Sequence, residues 1–137
     1  MSKLTFTACY NNTYLDPVVI NEGKEEEIRL VYQEGIFTQE SNLFGHFKGI
    51  FTAYVRAEMA DITSYSHWNF LDGSTMVVRV SADGDNYANV FTATFEIVHG
   101  TGKYEGVKGT GVVTEGQQDD ATKMGIYKIT LDYQLPA

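Results

Sequence analysis

Residues Phe91 to Gly116, FTATFEIVHGTGKYEGVKGTGVVTEG, restrict the fold more than any other stretch of the chain. The segment opens in strict alternation, with Phe91, Ala93, Phe95 and Ile97 on one side and Thr92, Thr94 and Glu96 on the other. Successive side chains of a strand point to opposite faces, so this pattern predicts a strand with an apolar inner face. His99 to Gly109 then carries Gly100, Gly102, Gly106 and Gly109, and Gly111 follows at once. Glycine adopts positive φ and tolerates close backbone approach, so the cluster predicts a tight corner between two antiparallel strands. It is not a phosphate loop, since no helix opening with Lys-Ser/Thr comes after it.

The rest of the chain repeats the two-residue period. Leu4, Phe6 and Ala8 alternate with Thr5, Thr7 and Cys9 as a short strand. Tyr10 to Gly23, rich in Asn, Asp-Pro and Gly, reads as a loop around an extended piece at Val18 to Ile20. The acidic run Glu25 to Glu27 reads as the solvated entry to a strand from Ile28 to Glu40, with a bulge at Gly35. Leu43 to Met59 is the longest strand-like stretch, its inward set being Phe51, Ala53, Val55, Ala57 and Met59, with Gly45 and Gly49 allowing it to coil. AYVRAEMA within it is also composed of good helix formers, so a helix competes there. Ile62 to Leu71 leaves its facing open: Ser66, Trp68 and Phe70 share one side, and Tyr65, His67, Asn69 and Leu71 the other. Asp72-Gly73 and Asp83-Gly84-Asp85-Asn86 mark turns. The second resembles a calcium loop but lacks the later ligands and closing glutamate. Met76 to Ser81, Val90 to His99, Thr110 to Glu115 and Met124 to Leu135 complete the strands, with a polar loop from Gly116 to Lys123. About eight strands with short links and no helix predict one all-β domain over residues 1–137. The expected form is an eight-stranded antiparallel up-and-down β-barrel, whose closure removes exposed edges.

Composition narrows the partners. A chain of 137 residues that is 43% hydrophobic, with two prolines, can build a core and is neither disordered nor fibrous. Ten basic against eighteen acidic residues leave a net charge of -8, which repels nucleic acid and anionic membrane surfaces. Cys9 is the single cysteine, so neither an intramolecular disulfide nor a thiolate metal cluster can form. His46, His67 and His99 lack metal-site spacing, and no metal is expected. The opening MSKLTFTACY has no signal-peptide pattern and no apolar run reaches spanning length, so a cytoplasmic protein is expected.

At the glycine corner the chain resembles a family. HGTGKYEGVKGTG, preceded by FTATFEIV, is similar to the GGTGxFxxAxG corner of the allene oxide cyclase and dirigent superfamily, with His99 standing where the pattern leads with glycine. LFGHFKGIFTA and GIYKITLDYQL resemble small bacterial members of the group to which no function is assigned. The resemblance covers roughly Phe44 to Leu135 and implies an eight-stranded antiparallel barrel of lipocalin-like shape. It also implies an isomerase or cyclase that needs no cofactor and acts on an apolar molecule inside the barrel. Related barrels associate, so a homo-oligomer is compatible with the resemblance, although no residue here requires one. The family's catalytic positions lie outside the matching motifs and are not carried over.

Candidate residues follow from the inward faces. Phe51, Trp68, Phe95, Tyr127 and Tyr133 are the expected ligand-binding aromatics of an apolar pocket, with ordinary core packing as the alternative. His67 is a candidate general acid or base because its unperturbed pKa lies near neutrality. Glu34 and Glu58 are strand carboxylates that would serve the same end if they faced inward and were desolvated. No Ser-His-Asp arrangement stands out. Two further functions fit the same barrel: a non-catalytic carrier of a small apolar ligand, and a packed structural barrel.

Overall fold

A computed structural model describes residues 1–57, 59–85 and 90–137; the side chains of 83–85, 90 and 91 are not among those described. The strands, in chain order, are β1 (Ser2–Tyr14), β2 (Val18–Asn21), β3 (Glu26–Gln39), β4 (Asn42–Arg56), β5 (Met59–Phe70), β6 (Thr75–Asp85), β7 (Val90–Thr101), β8 (Lys108–Gln118) and β9 (Met124–Gln134). Each of β3 to β9 pairs antiparallel with its chain neighbour, β9 pairs with β1, and β1 pairs with β3. That last pairing closes the expected eight-stranded antiparallel β-barrel. The four-residue β2 is additional and extends the β3 edge where β1 has left it. Among the described residues no helix is long and apolar enough to cross a membrane.

The register explains how the barrel is filled. Near one end the inward row Gly35–Phe47–Trp68–Met76–Gly100 carries large side chains over glycines. Nearer the other end the row Arg29–Ala53–Ile62–Ala82–Ala93–Val113 is built mostly of small ones. Small barrels fill their interior with side chains, so the gradient in size decides which end is solid and which is hollow. At the solid end Trp68 meets Phe6, Phe37 and Phe95 edge-on, at centroid distances of 5.6, 5.3 and 5.3 Å. These T-shaped contacts suit the ring quadrupoles.

The glycine corner supplies the plug for that end. After β7 a 3₁₀ turn at Gly102–Tyr104 drives Tyr104 into the barrel, where it is 2% exposed and packs on Phe70 and Tyr133. Gly102 and Gly106 hold φ of 64° and 74°, which only glycine adopts without strain. A polar clip ties the corner to the β5–β6 turn. Lys103 Nζ lies 3.3 Å from Asp72 Oδ2, while Asp72 Oδ1 accepts from the Ser74 backbone N–H at 2.9 Å.

Several expectations are revised. β4 ends at Arg56 and the chain reverses, so Met59 opens β5 and is 42% exposed instead of facing inward, and the helix alternative falls with it. The bulge in the β3–β4 ladder falls at Phe44, not at Gly35. Gly35 instead lets two strands and a ring approach closely, since an added Cβ would lie 2.1 Å from the Cys9 carbonyl oxygen. Tyr10 to Tyr14 belongs to β1 and not to a loop. The acidic run is only partly solvated: Glu26 accepts from the Tyr54 hydroxyl, and Glu27 pairs with Arg29. The expected inward facing of Phe91 concerns a side chain outside the described residues.

Candidate functional site: a cavity at the hollow end of the barrel

The small residues of the alanine row leave a cavity of about 140 Å³ open toward the β1-end, β3-start rim. Its two walls differ. One side, from β4 to β8, is mainly apolar, with Phe51, Val55, Ile62, Val80 and the alanines, interrupted by the hydroxyls of Ser64 and Ser66. The opposite side carries amides and phenols from β1, β3, β8 and β9.

These polar groups form one continuous ladder. The Tyr127 hydroxyl donates to Gln33 Oε1 at 3.2 Å, and Gln33 Nε2 donates to Asn12 Oδ1 at 3.1 Å. Asn12 Nδ2 donates to Gln118 Oε1 at 2.8 Å, and Gln118 Nε2 donates to the Tyr14 hydroxyl at 3.0 Å near the rim. Tyr10 adds a longer bond to Gln118 Oε1 at 3.4 Å. Every bond runs in the same sense, and a chain of this kind polarises its members cooperatively. Among the described residues no buried side-chain nitrogen or oxygen lacks a partner.

A β-bulge makes the ladder geometrically possible. Between Thr114 and Gln117 of β8 the register against β9 shifts, and Glu115 takes φ of 56°. The shift changes the phase of the strand, so Gln118 faces the cavity while Gln117 is exposed. Gly125, opposite Gln118, leaves room for the Tyr10 ring, which a Cβ there would approach to 2.3 Å.

The cavity is electrically quiet. Burial, and then the neighbouring phenol in each case, pushes the Tyr10 and Tyr127 hydroxyls well above the ordinary tyrosine range. Both stay protonated and act as neutral donors. Arg29 is the one formally charged residue among the described cavity-lining side chains. Its Nε donates to Glu27 Oε1, and its guanidinium carbon sits 6.0 Å from the centre of the Tyr14 ring. Lys123 Nζ lies 5.2 Å from the centre of the same ring and pairs with Asp120 at 2.6 Å. Among the described residues no cluster of His, Cys, Asp and Glu could hold a metal ion.

Three of the expected ligand-binding aromatics line this cavity: Phe51, Trp68 and Tyr127. Phe95 is buried in the packed region against Trp68, and Tyr133 lies half-buried at the plugged end beside Tyr104. The acid–base candidates lie elsewhere. His67 and Glu34 project from the outer face, because Trp68 and Gln33 take the inward positions next to them in strict alternation. They share an external groove with Lys48 and Tyr65 and do not touch the cavity. Glu58 lies outside the described residues. Asn12, Tyr14, Gln33, Arg29 and Gln118 were not expected. Asn12 and Gln118 sit in stretches whose composition reads as loop, whereas the inward phase of Gln33 beside Val31 was present in the sequence.

No protein-family model and no curated protein matches the sequence. Solved structures do. The pterocarpan synthase dirigent protein GePTS1 is similar over 97% of this chain and 90% of its own, with a TM-score of 0.66 and 20% identity. The pterocarpan synthase dirigent protein PsPTS1 is similar over 98% and 97%, with a TM-score of 0.63 and 17% identity. A pyocyanin demethylase is similar over 94% of this chain and 100% of its own, with a TM-score of 0.55 and 16% identity. The resemblance read from the glycine corner therefore holds at the level of architecture: this chain has the eight-stranded barrel fold of the dirigent proteins.

Proposed function

We propose that the chain binds a small, largely apolar molecule in the cavity at the hollow end of the barrel. The observation that carries this reading is the pairing of an apolar alanine-rich wall with a facing ladder of neutral hydrogen-bonding groups. A concave apolar site with a few fixed polar groups is the usual form of a small-molecule site. The fold is compatible with such a role, since the proteins that share it include one described as a synthase and one as a demethylase.

The ladder favours a second reading, a cofactor-independent isomerase or cyclase. In that reading the barrel folds the bound molecule against the alanine row. A donor of the ladder then stabilises an oxygen that gains charge in the transition state, where preorganised donors act most strongly. Tyr14 is the best placed donor, since its hydroxyl accepts from Gln118 at the rim end of the ladder and a hydroxyl can donate as well as accept.

Trp68, the only tryptophan, lies on the cavity lining and serves as the reporter. A panel of small aromatic and alicyclic compounds should alter its fluorescence saturably in the native protein. Ala82→Phe, or the milder Ala82→Met, should weaken that response at least tenfold with the fold retained by circular dichroism. His67→Ala and Glu34→Gln should leave it unchanged. Binding that survives filling of the alanine row places the ligand elsewhere and refutes the proposal. For the second reading, Tyr14→Phe should lower turnover of an identified substrate while preserving its affinity.

A further inference from the structure

The cavity chemistry also bears on which ligands are admitted, given the small-molecule reading above. We infer that the site selects an uncharged ligand, and that Glu27 enforces the selection by occupying Arg29. An engineered apolar cavity of about 150 Å³ takes up benzene, so a volume of about 140 Å³ encloses a body near one ring in size. Such a body has the apolar wall on one side and the ladder on the other.

A charge carried in with it would find no counter-charge. The ladder consists of amides and phenols with no formally charged member, and its buried groups already satisfy one another. Removing an ion from water without a partner is far costlier than removing a neutral group. The rim does not change this balance. The charged side chains that line the rim groove are Arg29, Glu27, Lys123 and Asp120, and they form two ion pairs beside Tyr14. Their formal charges cancel. Of the four, only Arg29 lines the cavity itself, and the side chains of its pair are 30% and 20% exposed for Arg29 and Glu27. An anionic ligand would therefore have to displace Glu27 from Arg29, or share the guanidinium with a second carboxylate at close range. Lys123 does not line the cavity, and its ammonium pairs with Asp120, whose side chain is 76% exposed.

Three near-isosteric probes test this: benzyl alcohol, benzoate and benzylammonium, titrated at pH 7 with Trp68 fluorescence and calorimetry as readouts. In the native protein benzyl alcohol should bind at least tenfold more tightly than either ion. Glu27→Gln should tighten benzoate at least threefold and change benzyl alcohol less than threefold. If either ion binds within tenfold of the alcohol, or if benzoate gains less than threefold in a folded Glu27→Gln protein, the inference is overturned. The native ratio stands by itself should Glu27→Gln fail to fold. If none of the three probes binds at the cavity, the small-molecule reading falls, a result distinct from loss of charge selection alone.

Discussion

The polar ladder can be tested for its energetic coupling by replacing Gln33 with methionine. Gln33 accepts from Tyr127 and donates to Asn12, so Gln33→Met leaves the Tyr127–Gln33 and Gln33–Asn12 bonds unmade at once. Asn12 and Tyr127 are 7% and 9% exposed. Orphaning a buried polar group costs about 1–3 kcal/mol; because Gln33 is half-buried and borders an open cavity, the low end applies, near ~1 kcal/mol for each of the two bonds. Gln33→Met should thus cost about 2 kcal/mol out of a total stability on the order of 5–15 kcal/mol. Tyr127→Phe removes one bond and should cost about 1 kcal/mol. The double variant leaves only the Asn12 carbonyl without its former donor, so it should cost about 1 kcal/mol rather than the sum of about 3 kcal/mol. It should therefore be more stable than Gln33→Met alone, by about 3–5 °C in Tm for a domain of this size. Urea unfolding of the four proteins at equal m-value gives the cycle directly. Additive losses, with the double variant least stable, would show that water already satisfies these groups and that the ladder is not a dry, coupled unit.

Gly111→Ala should destabilise by about 1–3 kcal/mol, since an added Cβ would lie 2.2 Å from Phe95 Cζ and 2.6 Å from the Thr130 carbonyl oxygen. Gly23→Ala, which meets nothing nearer than 3.7 Å, should stay within about 0.5 kcal/mol of the native protein in the same urea assay. Tyr104→Ala should cost about 3–5 kcal/mol by opening the plugged end, measurable as a lowered urea midpoint. Raised tyrosine pKa values give a pH dependence of definite sign. Tyr10 and Tyr127 keep their protons in the folded state when the unfolded chain loses them near pH 10, so their contribution is intact below that pH and falls as pH rises further. Ultraviolet titration of the folded protein should show at least two tyrosines, Tyr10 and Tyr127, that resist ionisation until the protein unfolds, and a full complement titrating near pH 10 would refute their burial.

The two-residue period determined the class of this protein. Alternation in β1, β4, β7 and β9 already separates Phe6, Ala53, Phe95 and Ile129 from their solvent-facing neighbours, and the glycine corner already joins β7 to β8. Those are local properties: they depend on how a strand points its side chains, whatever it pairs with. The taper from Trp68 and Phe47 to Ala53 and Ala93 was also written in the chain. It becomes a cavity only when the register aligns Ala53, Ile62, Ala82 and Ala93 in one row. Of the polar wall, Tyr127 and the inward phase of Gln33 were legible in the alternation, whereas Asn12 and Gln118 were decided by tertiary structure. Asn12 is a poor strand residue that belongs to β1 because Gln118 and Gln33, far away in sequence, satisfy its amide. Gln118 faces inward because a bulge against β9 shifts its phase. Pairing register and long-range hydrogen bonds set these positions, and neither has a period that a single strand can display.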